Sequence, residues 1–141
     1  QVMFKFLGRF GLALLIGIVV LSPRSANACS CTPPPPPRQA LEEATAVFSG
    51  QVTHIEAYQG RLNVTFVVEQ SWKGDVGQTI VVQTPASTAM CGNSFELGQF
   101  YLVYGSDRRG TLQTNQCSRT ALLSQATEDI SELNQSQPRQ L

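Results

Sequence analysis
The chain has 141 residues, 42% apolar and 14% charged: enough apolar mass for one packed domain and too little charge for a disordered chain. Ten basic and ten acidic residues cancel overall, but Lys5, Arg9 and Arg24 lie in the first 28 residues, leaving seven basic against ten acidic side chains in the remainder. That sign argues against a nucleic-acid binder working by phosphate neutralisation, and a single histidine, His54, excludes a His-rich metal cage.

The first 28 residues read as an export signal. Lys5 and Arg9 make a short basic start, and residues 10–21 (FGLALLIGIVVL) form an apolar run of 12 residues. A bilayer-spanning helix needs roughly 20. Ser22-Pro23 ends the run, and Ala26-Asn27-Ala28 places small residues at the positions a signal peptidase reads. Cleavage after Ala28 would make Cys29 the first residue of a secreted or periplasmic protein with no membrane span after processing. That compartment is one where disulfides persist. Ala26 and Asn27 are not the residues that a lipid-attachment site wants before its cysteine.

Residues 32–37 are a proline run, stiff and extended. A short helix is predicted over residues 38–45, with Pro37 in its first turn. Residues 46–58 (AVFSGQVTHIEAY) and 61–72 (RLNVTFVVEQSW) read as strands joined at Gln59-Gly60, where glycine supplies a positive φ. In the second strand Leu62, Val64, Phe66 and Val68 share one face, with Asn63, Thr65 and Glu69 on the other. Lys73-Gly74-Asp75 is a turn, residues 79–83 are a third strand, and residues 84–94 form a loop holding Cys91. Residues 99–104 and 111–114 form a last hairpin around Asp107-Arg108-Arg109-Gly110. A helix is predicted from Ser118, which can cap it, with Leu122, Ala126, Ile130 and Leu133 at helical spacing. Residues 135–141 read as a flexible polar tail, so the domain is expected over residues 29–134. The expected fold is mainly β: a small closed barrel of about five antiparallel strands with a short N-terminal helix and a C-terminal helix packed on it.

Cys29, Cys31, Cys91 and Cys117 allow three pairings. A Cys29–Cys31 bridge over a single intervening residue would be strained, so both N-terminal cysteines are expected to reach distant partners. Each such bridge closes a long loop, worth roughly 3–5 kcal/mol in the chain-entropy model. Cys-x-Cys plus two isolated cysteines is poor spacing for a structural zinc, and no metal of the protein's own is expected. Stapling alone leaves something unexplained. Chain termini usually fray, yet here the first mature residue and its neighbour but one would be fixed, with five prolines following. A segment held rigid before binding loses little entropy on docking, as suits a peptide that enters a partner's groove.

These residues resemble the tissue inhibitors of metalloproteinases and the wider netrin-like module. The resemblance rests on Cys29-Ser30-Cys31-Thr32-Pro33 at a mature N-terminus, with the proline stretch and Gln39-Ala40 after it. It continues through Val47-Phe48-Ser49-Gly50-Gln51-Val52, Cys91-Gly92 with Phe95, and Tyr101-Leu102-Val103-Tyr104-Gly105. It ends with Leu112 and Thr114 shortly before Cys117-Ser118, and so covers nearly all of the residues after Ala28. It implies an oligonucleotide/oligosaccharide-binding (OB) type barrel, the bridges Cys29–Cys91 and Cys31–Cys117, and a zinc metalloprotease as protein partner. It also implies a mechanism in which the α-amino nitrogen and carbonyl oxygen of Cys29 cap the protease's catalytic zinc. Ser30 would point into the primed-side pocket, Thr32 and Pro33 would continue along the groove, and Thr88, Ala89 and Met90 would cover the unprimed side. The chain departs from the family in lacking the third disulfide: Glu42 stands where one of its cysteines belongs.

The alternative expectation is a secreted or periplasmic netrin-like binding module whose disulfides are purely structural. An enzyme is not expected, nor is a cofactor, and the chain is expected to be a monomer. His54 has no motif around it. Glu42-Glu43 reads as a solvated helix face, Asp107-Arg108-Arg109 as a charged turn rather than a phosphate site, and Asn63-Val64-Thr65 as a chance glycosylation sequon within a strand. Trp72 is expected in the barrel core with Phe48 and Phe66.

Overall fold
The computed structural model describes residues 29–137. The predicted leader, its cleavage position and the end of the polar tail lie outside them. The described chain is mainly β. Helix α1 (Pro37–Glu43) is followed by strands β1 (Ala46–Tyr58), β2 (Arg61–Lys73), β3 (Thr79–Pro85), β4 (Phe100–Arg108), β5 (Thr111–Gln113) and β6 (Ala121–Leu122), and then by helix α2 (Thr127–Ser136).

Local chemistry accounts for the turns. Pro37 opens α1 with Pro36 as its N-cap, the position where a missing N–H costs nothing. Gln59 and Gly60 have φ of 47° and 74°, and Arg109 and Gly110 have φ of 57° and 81°. Both pairs therefore make turns with two consecutive positive-φ residues, the kind whose twist matches two antiparallel strands. Gly110 N–H donates to Asp107 Oδ1 at 2.9 Å, which fixes the second turn.

The sheet has six strands in the order β1-β2-β3-β5-β4-β6, and β1 also pairs with β4. Five of the strands thus close into a ring of pairings, and β6 adds to the outer edge of β4. The β3–β5 seam is the weak link and departs from the expected antiparallel order: it is parallel and pairs at one position, Gln83 with Gln113, with Thr114 N–H donating to Gln83 O at 2.9 Å. Strand β1 carries most of the closure. Its register against β2 shifts between Val47 and Phe48, Ser49 and Gly50, and Val52 and His54. Such irregularities bend a strand sharply, and here they let residues 46–51 of β1 pair with β4 on the opposite side.

Alternation along β1 and β4 separates two apolar clusters. Phe48, Val52 and Val103 point into the ring with Val64, Phe66, Val82, Phe95 and Tyr101. Their neighbours Val47, Leu102 and Tyr104 point outward and are covered by α1 and α2 through Ala40, Ala44, Ala126 and Leu133. The predicted β2 face holds: Val64 and Phe66 are buried in the ring, with Leu62 and Val68 packed against them. Phe66 meets Phe48, Phe95 and Tyr101 edge to face, with centroids 5.5, 5.3 and 6.5 Å apart.

Three expectations are corrected. Trp72 is not in the ring core with Phe48 and Phe66; it lies in the helix-covered cluster, where its Nε1–H donates to Asn134 Oδ1 at 2.9 Å. The register shifts in β1 and the length of β2 carry its far end under α2. The second helix does not start at Ser118. Cys117 is bonded to Cys31, Tyr104 N–H donates to Thr120 Oγ1 at 2.9 Å, and Ala121–Leu122 pairs with β4. Those bonds hold the segment extended, so the helix begins at Thr127, and only Ala126, Ile130 and Leu133 of the predicted stripe serve it. Because α2 runs through Ser136, Gln135 and Ser136 belong to the domain rather than to a tail.

Gly50 lies where β1 and β2 approach each other closely. A Cβ there would lie 2.7 Å from Val67 O and 3.4 Å from Phe66 Cβ. Gly50→Ala is expected to cost about 1–3 kcal/mol, because backbone rather than a mobile side chain must yield. Denaturant unfolding of the oxidised protein checks this; an unchanged midpoint contradicts the close approach.

Candidate functional site
Residues 29–36 precede α1 without helix or strand structure, and residues 30–34 are exposed. Two disulfides hold this segment. Cys29 is bonded to Cys91 and Cys31 to Cys117, each with Cα atoms 5.2 Å apart, the pairing implied by the resemblance. In an extended chain residues i and i+2 face the same way. The Cys29 and Cys31 sulfurs accordingly sit 3.9 Å apart, both engaged with the body of the protein, and Ser30 between them is exposed.

The two anchor points form one platform. Thr88–Met90 is a single 3-10 turn closed by Met90 N–H and Gly92 N–H to Ser87 O, at 3.1 and 2.9 Å, and by Cys91 N–H to Thr88 O at 3.1 Å. Cys91 adopts φ 66°, which turns the chain back under the bridge. Gln116, beside Cys117, ties the second anchor to the first: its N–H donates to Cys91 O at 2.9 Å and its Nε2 to Thr88 O at 3.2 Å. Thr88, Ala89 and Met90 are all exposed, and Met90 presents 54% of its surface. The predicted ridge residues Cys29, Ser30, Cys31, Thr32, Pro33, Thr88, Ala89 and Met90 thus belong to two segments joined by the Cys29–Cys91 bridge. Gln116 had no sequence signal.

The four sulfurs lie within 4.8 Å of one another. All four are consumed in disulfides and offer no thiolate, so the cluster does not fit a structural zinc.

A buried polar cluster supports the far end of the segment. Arg119 Nε and Nη2 each donate at 2.7 Å to the two oxygens of buried Asp129 on α2, and Nη1 donates to Pro35 O at 3.2 Å. Tyr104 O–H donates to Asp129 Oδ2 at 2.8 Å. Burial, then the hydrogen bond to Asp129, pushes the Tyr104 phenol well above its ordinary pKa, while the bond to Asp129 raises that of Arg119. Arg119 and Asp129 belong to no motif of the sequence, so its patterning gave no hint of this triad.

Other singled-out residues stand apart from the ridge. His54, Glu42 and Glu43 are exposed, and Asn63 is half-buried within β2, paired with Glu56 and Gln83. No helix among the described residues is long and apolar enough to cross a membrane. No protein-family model matches the chain, and no curated protein matches it.

Raised phenol pKa values set a pH dependence. Tyr101, also buried, shifts in the same direction as Tyr104, and both start from an ordinary value of 10.0. Each phenol is harder to ionise folded than unfolded, so the stability it contributes is complete below pH 10 and is lost as pH rises past it. Tyr104→Phe is expected to flatten the alkaline fall and to cost about 1 kcal/mol at neutral pH. Thermal melts from pH 7 to 11.5 measure both effects; an alkaline slope equal to the parent's removes Tyr104 from this role.

Proposed function
We propose that the protein is an extracytoplasmic inhibitor of a zinc metalloendopeptidase, with Cys29 as its mature first residue. The observation that carries this reading is the placement of Cys29: fixed to Cys91, next to exposed Ser30, on a platform whose other exposed segment is Thr88–Met90. The ring of five strands and the two disulfides are the arrangement that the likeness to tissue inhibitors of metalloproteinases implies, and they support an OB-type barrel.

The chemistry follows from a catalytic zinc that keeps one position open for water. The α-amino nitrogen and carbonyl oxygen of Cys29 close a five-membered chelate ring on that metal and displace the water. The amine binds in its neutral form, accessible near neutral pH because an α-amino group titrates at about 8. Cys29 has no side chain free to be attacked, since its sulfur is in a disulfide. Ser30 enters the primed-side pocket, Thr32 and Pro33 follow the groove, and Thr88, Ala89 and Met90 cover the unprimed side. The wedge is rigid before it docks, which lowers the entropy lost on binding.

The test compares the chain beginning at Cys29 with one that keeps Ala28, against a panel of zinc metalloendopeptidases. The Cys29 form is expected to inhibit. Retaining Ala28 is expected to weaken inhibition about 100-fold or more, equivalent to about 2.8 kcal/mol, with thermal stability unchanged. Ser30→Gly is expected to weaken it more mildly. Equal inhibition by both forms overturns the chelation mechanism, and no inhibition across the panel favours a binding module with purely structural disulfides.

A further inference from the structure
A second site is built on the weak side of the ring, and it does not depend on the inhibitory reading. Beside the β3–β5 seam lies a cavity of about 290 Å³, lined by Arg61 and Arg108 and by the polar residues Ser106, Gln113, Asn115 and Ser118. No carboxylate of the described residues lines it. The one ion pair among the described residues, Arg119 with Asp129, lies elsewhere, and among those residues neither Arg61 nor Arg108 has a carboxylate oxygen within 4.0 Å. The nearest acid in sequence, Asp107, spends an oxygen on the Gly110 N–H of its own turn.

Arg61 reaches across the seam from β2: its Nη2 donates to Gln113 Oε1 at 3.0 Å, and its Nε has no acceptor among the described residues. Its guanidinium is half-buried and fixed while donors remain unspent. Arg108 faces the same cavity from the end of β4. Arg61 and Arg108 thus line one cavity, half-buried and exposed respectively, and a planar fork of donors suits an oxyanion. Ser106, Ser118 and Asn115 add polar residues to the same wall, the Ser118 hydroxyl donating to Asn115 O at 2.8 Å. This separates the cavity from a merely solvated charged turn, the expectation for residues 107–109: Arg109, on the same turn, does not line it.

We propose that this cavity binds one oxyanion group, a phosphate, sulfate or carboxylate, between Arg61 and Arg108. The experiment titrates the oxidised full chain with inorganic phosphate at pH 7, with chloride holding ionic strength constant, and follows backbone amide shifts by NMR. Saturable shifts are expected at residues 61, 106, 113, 115 and 118. Arg108→Gln is expected to weaken binding about 10- to 100-fold, as for loss of a charged hydrogen-bonding partner; Arg109→Gln is expected to leave it within about twofold. Arg61→Gln should match Arg108→Gln, but it also loses the bond to Gln113, so exposed Arg108 carries the decision. Parallel titrations with sulfate and acetate sort the occupant: a response to acetate as well makes it a carboxylate site, and a response confined to phosphate and sulfate makes it a tetrahedral-anion site. No saturable shift with any of the three, or equal weakening by Arg108→Gln and Arg109→Gln, overturns the proposal.

Discussion

The exposed N-terminal segment owes its position to two covalent bonds. Among the described residues, no backbone hydrogen bond joins residues 29–34 to the sheet, and the proline run that follows lacks the N–H groups to make them. What replaces a strand partner is the pair of bridges, closing spans of 62 and 86 residues and worth about 4 kcal/mol each in the chain-entropy model. Arg119 supplements them with one bond to Pro35 O and anchors itself on Asp129. The backbone of residues 29–31 therefore stays free of internal partners while its position is set. Gln116 extends this by making the two receiving loops one unit, so that the segments it joins move together.

The sheet that carries this platform is buried on both sides where it matters. Val47 and Phe48 are neighbours in β1, fully buried in different clusters, and Leu102 and Val103 repeat the pattern in β4. A strand buried on both faces has no solvent face to spare for slippage. Lys73 adds a polar tie at the layer's edge, its Nζ donating to the carbonyls of Leu41 and Glu42 at 3.0 and 2.8 Å, where the end of α1 leaves acceptors free.

Local signals were the legible ones. Gln59-Gly60 and Arg109-Gly110 announce hairpins because positive φ is a property of single residues, and the alternation from Leu62 to Val68 announces a half-buried strand. Proline at the start of α1 is equally local. What the sequence hid depends on neighbours distant in the chain. Trp72 reads as one more aromatic of the core, and only the bends in β1 send it under α2. Residues 118–126 carry a helical stripe, but the bridge at Cys117 and the bond from Tyr104 N–H to Thr120 draw them onto β4. Arg119, Asp129 and Gln116 look like ordinary surface polar residues, since their partners come from elsewhere in the chain. Cysteine spacing by itself pointed only to distant partners for Cys29 and Cys31; which partner each takes came from the family resemblance.

The crowding of the four sulfurs carries a consequence for maturation. With all of them within 4.8 Å, a thiolate generated at any one has the other bridge within easy reach, the geometry that thiol–disulfide exchange needs. A crossed arrangement, Cys29 to Cys117 and Cys31 to Cys91, would reverse the direction of residues 29–31 across the platform. Selecting the native isomer is therefore a matter of the direction in which residues 29–31 cross the platform rather than of which cysteines can meet.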